Sequence, residues 1–224
     1  MRRRLPLTTG RALVLCVGIP AMLAAIGASA LSEVALAGQG TFPVRLDLPA
    51  RGRAVHISID SGDLRVGPAP GSRLRITGTA HYSLIRSTVT SLVSPTLVSV
   101  ASRCHFVAGI CSFGLQVALP AGAVVHLSDG SGDITATGLT STRVTASGNS
   151  GDVTLIFSAV PDLVRVSDQF GDVTLVLPSG RTTYRVNAQA PLGMTSTRVP
   201  TSPSSPHVIN VNDSSGNVVI RTQA

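Results

Sequence analysis

Five segments of this chain repeat one pattern: small residues, then Gly-Asp or Gly-Asn, then β-branched or aliphatic residues in alternation. They are Ser61-Gly62-Asp63-Leu64, Ser131-Gly132-Asp133-Ile134, Ser150-Gly151-Asp152-Val153, Phe170-Gly171-Asp172-Val173 and Ser215-Gly216-Asn217-Val218. The middle three glycines lie 19 and 20 residues apart. A period of this size marks units too small to bury an apolar face alone, which become stable by stacking on their neighbours. Each unit carries a second apolar run before its turn: Val125 and Leu127, Val144, Val164 and Val166, Tyr184 and Val186, Ile209 and Val211. After the turn come Ile134, Val153 with Leu155, Val173 with Leu175, and Val218 with Ile220. Alternation with period two means strands that bury one face. The expected fold is all-β, a β-solenoid or β-roll of ~20-residue repeats. An antiparallel β-sandwich, whose turns recur every ~8–12 residues, is the alternative.

The Gly-Asp pair has a local purpose. Glycine accepts a positive φ at a tight turn, and a short carboxylate or amide takes hydrogen bonds from nearby backbone N–H groups. Gly62, Asp63, Gly132, Asp133, Gly151, Asp152, Gly171, Asp172, Gly216 and Asn217 are therefore expected to build the turns. Asn217 in the last unit does the same work without charge. A second reading of the column is calcium binding by Asp133, Asp152 and Asp172, because stacking would bring these like charges to ~4.8 Å, where a cation could bridge them. Asp129 and Asp168, each four residues upstream of a repeat aspartate, would add oxygens. Calcium requires ~6–8 oxygens, and its β-roll signature repeats every ~9 residues, so no metal site is assigned.

Ahead of the repeats runs Ala12 to Leu31, without a charge, preceded by Arg2, Arg3, Arg4 and Arg11 and followed by Glu33. About 20 apolar residues cross a bilayer, and the arginine-rich side stays cytoplasmic. The chain thus divides into a basic tail (1–11), a transmembrane anchor or uncleaved signal (12–33), an N-terminal β region (39–122) and the Gly-Asp repeat region (123–224). The expected location is the cell membrane, single-pass, with the C-terminal domain outside. If small-residue sites such as Ala28-Ser29-Ala30 are cleaved, the protein is secreted instead. The net charge of +7 falls to +4 once the anchor arginines and Glu33 are set aside, and the remaining arginines are scattered. With seven Phe and Tyr residues to stack on bases, nucleic acid is not an expected partner.

In an oxidising compartment Cys104 and Cys111 read as a local disulfide, contributing ~2–3 kcal/mol by the chain-entropy estimate. Zinc would want Cys-x2–4-Cys spacing, which the pair lacks. Between Arg73 and Leu119 the pattern is looser. Leu74 with Ile76, Leu84 with Ile85, Val98 with Val100, and Leu115 to Leu119 are expected to be strands of the same structure. Pro191 to Pro206 reads as a polar loop. One degenerate unit, centred on Leu192-Gly193-Met194, fills the 45 residues from Gly171 to Gly216.

Composition excludes several chemistries. The chain has no lysine and a single glutamate, Glu33. Phosphate-loop lysines, Schiff bases and Ser-x-x-Lys nucleophiles are ruled out, and no Gly-x-Ser-x-Gly elbow occurs. His56, His81, His126 and His207 sit in or beside strand patterns and are expected to be structural. No catalytic residue and no cofactor is assigned.

The anchor, Thr77-Gly78-Thr79-Ala80-His81-Tyr82-Ser83-Leu84, the cysteine pair, Leu119-Pro120-Ala121-Gly122, the run from Asp129 to Leu139, and Gly171 to Pro178 together resemble the bacterial putative-adhesin family. These are β-strand-repeat domains of unknown function, common in actinobacteria as short membrane-anchored proteins. The chain departs from the family pattern at Phe170 and at Gly193-Met194, where Ser-Gly-Asp would stand. The resemblance implies a non-catalytic, membrane-tethered envelope protein that binds cell-wall polymer or protein. The alternative is an accessory or sensor module in an envelope-stress system, acting through a membrane partner.

Overall fold

The computed structural model describes residues 39–105 and 110–223, so the anchor segment 12–33 and the tail before it lie outside the described residues. The N-terminal strands are β1 (Gln39–Pro49), β2 (Ala54–Ile59), β3 (Gly62–Pro68), β4 (Arg73–Ser83), β5 (Thr88–Val93), β6 (Leu97–Arg103) and β7 (Cys111–Leu119). Next come β8 (Val125–Asp129), β9 (Ile134–Leu139), β10 (Arg143–Gly148), β11 (Val153–Phe157), β12 (Leu163–Phe170) and β13 (Val173–Leu177). The last four are β14 (Arg185–Gln189), β15 (Thr195–Arg198), β16 (Val208–Ser215) and β17 (Val218–Thr222). Among the described residues there is no helix long and apolar enough to cross a membrane.

These strands form two mixed sheets around one core. The nine-stranded sheet has the order β1-β4-β7-β3-β9-β11-β13-β17-β15, and the eight-stranded sheet the order β14-β16-β12-β10-β8-β2-β6-β5. From β8 onward the chain alternates between the sheets, and strands one repeat apart pair in parallel. The register stacks Val125, Val144, Val164, Ile209 and Val186 in one sheet. Ile134, Val153, Val173 and Val218 stack in the other. Nearly all of these side chains are buried, with Val186 half-buried at the edge. The period-two alternation is thus turned inward on both sheets, and the two inner faces share the core.

A uniform solenoid does not describe the whole molecule, which is a sandwich-like pair of mixed sheets. β1 runs antiparallel to β4, β4 to β7, and β5 to β6. Nor is it an antiparallel sandwich, because the other strand pairs are parallel. One strand in each sheet per ~20 residues returns the chain to the same end and gives parallel pairing, whereas a short reversal within one sheet gives antiparallel pairing, as between β5 and β6. Between β5 and β6 that reversal is closed by Ser94, whose N–H donates to the Leu97 carbonyl at 2.8 Å while its Oγ accepts the Leu97 N–H at 3.0 Å.

Three local expectations are corrected. Leu84 and Ile85 do not belong to a strand; they follow β4 in an exposed turn, with Leu84 at φ 62°. The Pro191–Pro206 segment is not all loop, because Thr195–Arg198 forms β15. The degenerate unit around Gly193 does form a coil, β14 with β15, but it sits at the outer edge of both sheets. The later β16 and β17 slide in between it and β12 and β13. Three prolines, Pro200, Pro203 and Pro206, lie in the connection that makes this return.

Candidate functional site

The Gly-Asp turns form a column along one rim of the nine-stranded sheet. Gly132, Gly151 and Gly171 have φ of 139°, 123° and 147°, a region that favours glycine. A Cβ on Gly151 would run into the Gly132 carbonyl oxygen, and one on Gly193 into that of Gly216. The turn aspartates lock successive coils together. Asp133 Oδ1 accepts the Asp152 N–H at 2.9 Å, and Asp152 Oδ1 accepts the Asp172 N–H at 2.8 Å. Asp172 Oδ1 accepts both the N–H of Asn217 at 2.8 Å and its Nδ2–H at 3.1 Å. Asn217 Oδ1 in turn accepts the Met194 N–H at 3.2 Å, a donor-and-acceptor role that a carboxylate cannot fill. Gly62 shares the positive φ, at 119°, while Asp63 lies 3.5 Å from Arg65 in an exposed ion pair.

Asp133, Asp152 and Asp172 are therefore side by side, as the calcium reading requires, with one oxygen of each committed to a backbone N–H. Among the described residues no group of three His, Cys, Asp or Glu side chains is placed to hold a metal ion. Cys104 and Cys111 are joined in a disulfide, with Cα atoms 5.8 Å apart. The Cys104 N–H donates to Asp60 Oδ2 at 3.0 Å, which ties the bridge to the end of β2.

Asp129 and Asp168 are not surface oxygens. With Asp213 they lie at or near the C-terminal ends of β8, β12 and β16 on the inward side, each at most 3% exposed. Asp129 Oδ1 accepts the Ser131 N–H at 2.9 Å and Asp213 Oδ1 the Ser215 N–H at 3.1 Å, leaving Asp129 Oδ2, Asp213 Oδ2 and both Asp168 oxygens without a partner. Burial raises the pKa of all three above the usual carboxylate range. For Asp129 it is pushed up to about 7, burial outweighing the Ser131 hydrogen bond, with Asp63 and Asp133 adding to the rise. A buried carboxyl with a free oxygen is cheapest to keep as the neutral acid.

The outward face of the eight-stranded sheet is different in kind. Register aligns two rows across it. One runs Ser99, His56, His126, Thr145, Arg165, Asn210, Asn187. The other runs Ala101, Ser58, Ser128, Ser147, Ser167, Asn212, Gln189. Over β10, β12, β16 and β14 the rows line a shallow depression of about 310 Å³. The amide hydrogen bonds that tie coils together use Asn149, Asn217 and Gln223, none of which belongs to these rows. Hydroxyl and amide groups thus stand at the ~4.8 Å strand spacing, with Arg165 the cation among them. The rows were not legible in the sequence, because each member comes from a different coil and only register brings them together. The signal was present in weak form: the positions alternating with buried Val and Ile in β10, β12, β14 and β16 are Thr, Ser, Arg, Asn and Gln.

Fold and surface define a two-sheet β-strand-repeat protein with a built polar face and a column of structural turns. No family model and no curated protein matches the sequence. Among solved structures, a putative cell adhesion protein from Clostridium sporogenes is similar at a TM-score of 0.61 and 12% identity. The match covers 83% of this chain and 100% of that one. A putative adhesin from Bacteroides fragilis is more distant, at a TM-score of 0.37 and 12% identity over 81% of this chain and 97% of that one. The first likeness shows that this chain shares the fold of the clostridial protein.

Proposed function

We propose that this chain is a non-catalytic envelope protein of the adhesin type, held at the membrane by residues 12–33. Its β domain lies outside, and the outward face of the eight-stranded sheet binds cell-wall polymer. Within residues 123–223 the sheet-to-sheet winding is that of a β-solenoid, and it is this winding that repeats the ligand-facing groups. The observation that carries the reading is the pair of polar rows. Each hydrogen bond from such a face contributes ~0.5–1.5 kcal/mol, so a ligand that repeats its own hydroxyl and amide groups gains from many contacts in series. A glycan polymer has that chemistry. The lack of lysine and of glutamate beyond residue 33 supports a binding rather than a catalytic role.

The test is co-sedimentation of the full chain, in detergent, with isolated cell-wall polymer. Saturable binding is expected. Replacing Asn210, Asn212 and Gln189 together by alanine should weaken it at least roughly tenfold, the loss that ~1.4 kcal/mol produces. Unchanged binding by that variant would place the contact elsewhere. Failure to bind any wall fraction, with capture of an envelope protein instead, would replace polymer by protein as the partner.

A further inference from the structure

His56 and His126 are far apart in sequence but occupy matching positions on β2 and β8, which pair in parallel with the two residues in direct register. Their ring centroids are 4.2 Å apart and their planes inclined by 52°. Both rings are half-exposed on the outward face of the eight-stranded sheet. β2 and β8 are interior strands, flanked by β6 and β10, so the backbone under the pair is held on both sides. In the same row the flanking side chains are Ser99 and Thr145, short hydroxyls that leave the ring edges open, and Arg165 stands one strand beyond Thr145.

Two imidazoles this close cannot both carry a proton cheaply. Burial, and then the neighbouring His126, hold the His56 pKa below its ordinary value. The pair thus places two imidazole rings within one small volume on the outward face of the sheet. Neutral imidazole is the commonest protein ligand for borderline divalent ions, which bind its nitrogen at ~2.0–2.1 Å. Adjacent in-register strands supply two such ligands from one side, leaving the remaining coordination positions open.

We propose that His56 and His126 form an open two-histidine clamp for a divalent transition-metal ion, with affinity in the order copper above nickel and zinc. Water completes the coordination, since no third His, Cys, Asp or Glu among the described residues is grouped with the pair. The clamp is an exposed binding site rather than a structural centre. The pair belongs to the first polar row but lies outside the depression over β10, β12, β16 and β14, and its occupancy does not depend on polymer binding there.

Copper(II) titration of the full chain, followed by electron paramagnetic resonance, tests this. One ion per chain with two nitrogen ligands is expected. His56→Gln and His126→Gln should each weaken binding by at least roughly tenfold, the scale of loss for even an outer-shell partner. His81→Gln should leave it unchanged. In a zinc titration followed by nuclear magnetic resonance, the His56 and His126 ring signals should move and the other histidines stay still. Because both rings are half-exposed, the variants are expected to fold, and their melting temperatures check this. Copper binding that survives the double variant, or zinc shifts confined to other histidines, would overturn the clamp. No polymer is present in either experiment, so failure here leaves the polymer reading standing, and failure of co-sedimentation leaves the clamp standing.

Discussion

The repeat region, residues 123–223, and the region before it, residues 39–122, share two sheets but are held together by different means. In the repeat region successive coils are joined by the same three devices: a parallel apolar ladder, a glycine pressed against the previous carbonyl, and an aspartate accepting the next coil's N–H. Before residue 123 the parallel ladder and the glycine–carbonyl contact continue, with β2 on β6, β3 on β7 and Gly62 against the Phe113 carbonyl, but the aspartate link does not, since Asp63 pairs with Arg65. β1 and β4 are long antiparallel strands, Arg73 bonds Asp47 across them at 2.6 Å, Arg86 stacks on Phe42 at 4.3 Å, and the disulfide closes the entry to β7. A period in the sequence fixes strand direction through turn geometry. Where the period lapses both directions occur: β2–β6 and β3–β7 stay parallel, while β1–β4, β4–β7 and β5–β6 run antiparallel.

The sharpest test is whether the two regions melt as one body, since their core side chains form a single cluster. Phe113 in β7 and Phe157 in β11 are both fully buried, one on each side of the divide. Replacing either by alanine should cost ~3–5 kcal/mol. If the core is continuous, both variants unfold in one transition at similarly lowered denaturant midpoints. A biphasic curve for Phe157→Ala alone would break the two regions apart. Next in size is Gly151→Ala, which combines a φ unsuited to alanine with a clash against the Gly132 carbonyl and should cost about 3 kcal/mol or more. Its control is Gly114→Ala in β7, where a Cβ would meet nothing within 4 Å; it should change stability by less than ~0.5 kcal/mol. Equal losses at the two glycines would show that the cost at Gly151 does not come from its φ or its carbonyl contact.

The same contrast explains what the sequence made legible. Val144, Val164 and Ile209 could be assigned to one buried column because the period gives both face and register. The Gly-Asp turns follow the same period, with Asn217 hydrogen-bonded in the column like the aspartates, although Gly216 lacks the positive φ expected of it. The placement of β16 and β17 inside the β14–β15 coil was not, since a 45-residue gap carries no information about which edge the chain leaves and which slot it fills. Asp129 and Asp168 looked like outward oxygens because aspartate is usually exposed; alternation counted from Val125 and Val164 would have turned both inward. His56 and His126 share the polarity of their rows, and only the pairing of β2 with β8 makes them neighbours.

The disulfide gives a smaller and local effect. Reduction, or Cys104→Ser with Cys111→Ser, should lower stability by ~2–3 kcal/mol, as expected for so short a loop. Hydrogen exchange should locate the loss. Faster exchange is expected at the amides of β7 and its partners β4 and β3, with the Gly-Asp rim protected as before. Faster exchange at Asp152 and Asp172 instead would mean that the N-terminal region supports the repeats more than the repeats support themselves.

The smallest effect is the one on pH, and its sign separates the regions again, because Asp129, Asp168 and Asp213 all lie in the repeat region. A carboxyl whose folded pKa is raised binds more protons folded than unfolded. Its stabilising contribution is therefore complete below the unfolded value near 3.8 and is lost as pH rises through the folded one, about 7 for Asp129. Acidification from pH 8 to pH 5 should raise the melting temperature, by about 2–4 °C if the effect is ~1 kcal/mol in a domain of this size. This is the reverse of what salt-bridged carboxylates give. Asp129→Asn keeps an oxygen for the Ser131 N–H but cannot ionise, so the variant should lose part of the pH dependence and match or exceed the parent at pH 8. Asp47→Asn, in the exposed pair with Arg73, is the control from the other region and should leave the slope intact. A melting temperature that falls steadily from pH 8 to pH 5 would show that the buried carboxyls are ionised and stabilised by something other than protonation.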